Sequence, residues 1–122
     1  MTKNNAVEGD ELGRGMKIFM NEGNGKLCLT IMEPESDEVR EFFEELGLQG
    51  GGYTWQGIVS ALVDGKLPDL ADELEVDAEA DNMWVYALER GHLERVAALV
   101  RSVASSPAMI RRIVEDEENE IE

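Results

Sequence analysis

The chain is short of most of what catalysis and secretion draw on. Among 122 residues there is one cysteine and one histidine. A single thiol, Cys28, closes no internal disulfide and makes no zinc site. A cysteine nucleophile needs a basic partner. His92 is the sole histidine, and it sits at an expected helix start with no spacing that ties it to Cys28. Cys28 is therefore expected as a small buried strand residue, and His92 as a first-turn or solvent-facing one. There is no run of about 18 apolar residues of the kind that crosses a bilayer as a helix. The polar opening, residues 1–15, has no apolar stretch of the secretory type and reads as a flexible arm. The cytoplasm is the expected location.

Bases are also scarce, and most of all in the middle of the chain. The formal net charge is −16. Residues 1–32 carry four acids and four bases, and residues 33–81 carry fifteen acids and two bases. Residues 82–114 carry two acids and five arginines, and residues 115–122 carry six acids and no base. The middle segment and the tail therefore set up a negative field. Such a field repels nucleic acid backbones and anionic lipid. It attracts a basic protein surface and speeds encounter with it. Solubility is the plainer consequence of the same charge.

What is present is enough for one domain. At 43% hydrophobic residues, a chain of this length buries roughly two-thirds of its unfolded surface. Two apolar runs, Met16 to Glu22 and Lys26 to Met32, flank Gly23-Asn24-Gly25, a hairpin signal because Gly and Asn accept positive φ. Met16, Ile18 and Met20 share one face of the first run, with Phe19 an exception on the other. Leu27, Leu29 and Ile31 share a face of the second. Ser36 then caps a helix whose first turn holds Asp37 and Glu38. Val39, Phe42, Phe43 and Leu46 fall on one helical face, and Gly47 ends it.

Thr54 is placed to cap a second helix, with Trp55, Ile58, Val59, Leu62 and Val63 on its apolar face and Gly65 as its break. Pro68 starts a short helical turn. Leu74 to Ala78 and Met83 to Leu88 read as a second hairpin across Glu79-Ala80-Asp81-Asn82. Both faces of the Met83 strand are apolar, which fits a central strand or one that shows an aromatic row to a partner. From Gly91 the period returns to 3.6, and Ser106-Pro107 opens a last short helix. The expected order is β-β-α-α-β-β-α-α. That is an α+β fold, an antiparallel sheet of two hairpins with helices packed on it, in a single domain over residues 16–114. Residues 115–122 form an acidic tail.

Gly50-Gly51-Gly52 precedes a helix, as in a phosphate cradle, but no Lys or Arg lies near it and carboxylates crowd the segment. The glycines instead let the chain reverse while Tyr53 and Trp55 enter the core. Asp77, Glu79 and Asp81 alternate like the start of a calcium loop, yet the sixth position is Asn82 and the twelfth is Leu88. The five serines stand in no nucleophile-elbow context. Neither catalytic residues, nor a metal, nor a cofactor is indicated, and the chain reads as a non-enzyme.

Most of the chain after Gly15, and most densely the stretch from Gly50 to Tyr86, resembles immunity-protein family 51 of bacterial polymorphic toxin systems. The resemblance is carried by Gly52-Tyr53-Thr54-Trp55, by Pro68-Asp69-Leu70, by Val76-Asp77-Ala78-Glu79-Ala80 followed by Met83-Trp84-Val85-Tyr86, and by the Leu- and Ala-rich helix from Leu93 to Ala104. Asp81-Asn82, where the family tends to have a glycine, and the long acidic tail depart from the pattern. The resemblance implies a non-enzymatic binding protein that occludes a cognate toxin in the cytosol. The charge suits a toxin with a basic groove. Expected partner contacts are Glu41, Glu44, Glu45, Asp77, Glu79 and Asp81. Trp84 and Tyr86 are divided between core and interface. An acidic adaptor for some other basic protein, or a small carboxylate enzyme, is the alternative class.

Overall fold

Apolar alternation builds most of a five-stranded antiparallel sheet, and four amphipathic helices cover one of its faces. The computed structural model describes residues 8–21, 23, 25–116 and 121. Glu22 and Asn24 of the first turn, residues 1–7 of the expected arm, and residues 117–120 and 122 of the expected tail lie outside the described residues. The strands are β1 (Glu8–Gly13), β2 (Met16–Asn21), β3 (Lys26–Ile31), β4 (Glu75–Ala78) and β5 (Met83–Ala87). The helices are α1 (Asp37–Glu45), α2 (Gly52–Lys66), α3 (Arg90–Ala104) and α4 (Pro107–Glu115), with a 310 helix at Pro68–Glu73. From Met16 onward the order is the expected β-β-α-α-β-β-α-α.

The sheet runs β1-β2-β3-β5-β4. The two hairpins are joined through the antiparallel pair β3–β5, where Leu29 faces Val85 and Ile31 faces Met83. This makes β5 an interior strand, flanked by β3 and the edge strand β4. Gly25 holds φ at +71° in the first turn, and its N–H bonds to Asn21 O at 2.9 Å. No strand before Met16 is expected from the sequence, yet Glu8–Gly13 pairs with β2 through an irregular register. β2 would otherwise be the edge, and its unpaired backbone groups hold β1 there.

Met16, Ile18, Leu29, Ile31, Met83, Val85 and Ala87 form the sheet side of the core. The helices answer with Val39, Phe42 and Phe43 from α1 and with Trp55, Ile58 and Val59 from α2. Leu93, Val96, Ala97 and Val100 come from α3, and Ile110 from α4. Each Val, Leu, Ile, Phe or Met side chain among them contributes roughly 1.5–3 kcal/mol on leaving water. Phe43 and Trp55 meet edge to face, with ring centroids 5.8 Å apart. Ser36 accepts from Val39 N and Ser106 from Met109 N, each at 3.3 Å, so α1 and α4 start at the expected caps. Past α4, Ile121 packs half-buried against the core.

Two local expectations change. The second helix begins at Gly52, two residues before Thr54. Thr54 is buried and accepts from Gly50 N at 2.9 Å, so it fixes the turn ahead of the helix. The helix also passes through Gly65 and stops after Lys66, just ahead of Pro68, whose ring cannot continue it.

Candidate functional site

The sheet has a second face, and none of its large side chains belongs to the apolar core. Strand pairing sets that face out in two rows. In one, Phe19 lies opposite Cys28, Cys28 opposite Tyr86, and Tyr86 opposite Glu75. In the other, Lys17 lies opposite Thr30, Thr30 opposite Trp84, and Trp84 opposite Asp77. No described helix covers these rows. Phe19, Thr30, Trp84 and Tyr86 are half-buried, shielded by one another across the strands. Cys28, in the middle, is only 1% exposed. Two faces of β5 are thus apolar for different reasons, one for the core and one for this aromatic layer.

The centre of the layer holds its protons tightly. Burial pushes the Cys28 thiol up to about 11, while the neighbouring Thr30 and Tyr86 hydroxyls pull it the other way. Burial also raises the Tyr86 phenol, and the negative charges that Cys28 and Asp77 can carry add to the rise. A protonated thiol is a poor nucleophile. His92 lies on α3 and faces Glu89, with 3.7 Å between Nε2 and Oε2.

Acids border the layer. Glu75 forms an ion pair with Lys26, which reaches across β5 to meet it. Asp77 Oδ1 accepts the N–H of Ala78 at 2.9 Å. Glu79 and Asp81 are exposed in the β4–β5 turn. That turn is seated on the start of α2. Gly52 N donates to Ala80 O at 2.9 Å. A Cβ on Gly51 would stand 2.0 Å from Ala80 O, and one on Gly52 would stand 2.0 Å from Glu79 O. Gly51 and Gly52 are therefore glycines because a carbonyl layer presses on them. Of the three glycines, Gly50 alone has positive φ, at +80°.

The eight expected contact residues divide into groups. Asp77, Trp84 and Tyr86 share the open sheet face, with Glu79 and Asp81 at the end of the same hairpin. Glu41, Glu44 and Glu45 are exposed on α1, in the helical layer on the other side of the sheet. Glu41 and Glu45 border, with Glu38, Phe42 and Pro107, a shallow cavity of about 260 Å3. Tyr53 departs from the expectation of burial. It is 39% exposed, whereas Trp55 is 1% exposed. On α2 the two lie 200° apart, so only one can face the sheet. Phe19, Thr30 and Glu75 join the face without being expected there from the sequence. The sequence signal for Phe19 is its place as the lone ring on the polar side of its strand.

Among the described residues no group of three or more His, Cys, Asp or Glu is arranged to hold a metal ion. No described helix is long and apolar enough to cross a membrane. The arrangement offers an aromatic surface with an acidic border. Neither a curated protein nor a solved structure matches the chain. A family model described as Immunity protein 51 matches residues 16–119, which take in the whole sheet from β2 onward and all four helices. The chain belongs to the Immunity protein 51 family.

Proposed function

We propose that this protein neutralises a cognate bacterial toxin in the cytoplasm by binding and occluding it, with no chemistry of its own. The family match carries the reading, since it implies an immunity protein directed against a toxin. Charge supplies the finer part. Residues 33–81 hold fifteen acids and two bases. Glu41, Glu44, Glu45, Glu79 and Asp81 are exposed and form no ion pair with a described residue. Carboxylates left unpaired at the surface steer a basic groove toward the protein, such as that of a nuclease or a nucleotide-using transferase. The same field turns nucleic acid and anionic membrane away.

The test is co-expression with the product of the gene directly upstream. Growth rescue together with a stable purified complex is the expected result. Toxicity that persists while this protein is folded and abundant removes the reading. An adaptor for an unrelated basic protein would share the charge but give no rescue. The electrostatic part has its own measurement. Association should slow about tenfold or more between low and high salt. An association rate that ignores ionic strength removes steering and leaves occlusion standing.

A further inference from the structure

We propose, resting on the toxin-binding reading above, that the toxin docks on the helix-free face of the sheet. Its contacting patch has an apolar or planar centre flanked by Arg and Lys. The face gathers Phe19, Trp84 and Tyr86, three of the chain's seven aromatic residues, and none of the three packs against the core. Trp and Tyr are the side chains on which interface affinity concentrates, because they bury large area with few rotamers to freeze. Leu88, immediately after β5, is 76% exposed beside them.

The border fixes the sign of the partner. The edge strands β1 and β4 together hold five acids and no base, and the inner strands β2 and β3 hold one lysine each. From residue 67 to residue 89 there are eight acids and no Lys or Arg. An apolar middle with a charged rim is the ordinary anatomy of a specific interface. A second copy of this chain fits poorly. Two faces stacked together would bring acidic edges to acidic edges, between molecules of net charge −16 each.

The acidic row on α1 lacks an anchor. Phe42, the large ring nearest it, is buried and covered by the Arg111 guanidinium at 4.7 Å. Carboxylates without an anchor alter the encounter rate more than the lifetime of the complex. The sheet face therefore sets dissociation, and α1 contributes at most to approach.

The experiment uses the toxin encoded directly upstream and two variants. Trp84→Ala should weaken the complex roughly 30-fold or more, through faster dissociation. The triple variant Glu41→Lys, Glu44→Lys, Glu45→Lys should stay within about fivefold, with the change confined to association. Trp84→Ala that melts like wild type and binds within threefold overturns the proposal.

A second measurement needs no variant. With 5-fluorotryptophan in this protein and unlabelled toxin, the Trp84 fluorine signal should shift and lose its broadening by a soluble paramagnetic agent on saturation. The Trp55 signal should not change. A Trp84 signal still broadened in the saturated complex overturns the docking face alone. So does a homodimer that Trp84→Ala dissolves while toxin binding persists. Wild type that neither rescues growth nor binds removes the toxin reading, and the docking face with it.

Discussion

The indole nitrogen of Trp55 donates a 2.7 Å hydrogen bond to Glu35 Oε1, and both residues are 1% exposed. Arg40 Nε stands 3.5 Å from the other carboxylate oxygen. A buried carboxylate is tolerated only while its oxygens keep such partners. Trp55→Phe removes the closer one and should destabilise the protein by about 3 kcal/mol in urea unfolding. Adding Glu35→Leu to it should recover part of that loss, because no buried carboxylate oxygen then lacks its donor. A double variant no more stable than Trp55→Phe alone would count against this account.

Gly52→Ala should be among the most damaging single substitutions in the chain. The added carbon would meet Glu79 O at 2.0 Å and Asn82 O at 2.1 Å, both of them backbone atoms. A loss of roughly 3 kcal/mol or more is expected. Gly65→Ala is the counterexample. It lies in α2 with nothing within 4 Å of a new Cβ, and it should raise stability by about 0.5–1 kcal/mol. Thermal melts of the two variants should move in opposite directions.

Alkaline pH should weaken the fold through Cys28. Its thiol ionises near 9 when free, and burial moves it to about 11 in the folded chain. Below pH 9 both states hold the proton and nothing changes. Between 9 and 11 the unfolded chain releases it first, so stability falls as pH rises through that window. From pH 8 to 10.5 wild type should lose about 2 kcal/mol more than Cys28→Ala. The raised Tyr86 phenol acts in the same direction and leaves a smaller residual loss in the variant. Equal losses in both proteins would exclude Cys28 as the cause.

Tyr53 and Trp55 are neighbours in sequence but differ in consequence. Tyr53→Ser touches an exposed ring and should shift stability by no more than about 0.5 kcal/mol. Trp55→Ala opens the core and should cost about 3–5 kcal/mol. Paired unfolding curves check the contrast. A large loss at Tyr53 would place that ring inside.

Most of the fold is legible wherever one face of an element is buried. Val39, Phe42 and Phe43 repeat at helical spacing, and Leu29 and Ile31 alternate, because a single core claims them. β1 is illegible for the opposite reason. Glu8-Gly9-Asp10-Glu11-Leu12-Gly13 has no apolar alternation, and it forms a strand because β2 offers an unpaired edge. The glycine run suggests that both Tyr53 and Trp55 turn inward, whereas helical geometry admits one, and Tyr53 stays outside.

At the candidate site, sequence names single residues and cannot assemble them. Asp77, Trp84 and Tyr86 come together with Phe19 and Thr30 only once β3 is known to lie beside β5. That adjacency joins segments about 55 residues apart. The acids of α1 look equivalent in a charge tally, yet they sit across the sheet from the aromatics.

The carbonyls of Glu79, Ala80 and Asn82 rest on the glycines at the start of α2, so the hairpin tip is held in place from beneath. Glu79 and Asp81 are then offered on a stiff bracket, already set before any visitor arrives. Little conformational freedom is left for an arriving molecule to take away, and affinity gained at that tip is not spent on ordering it.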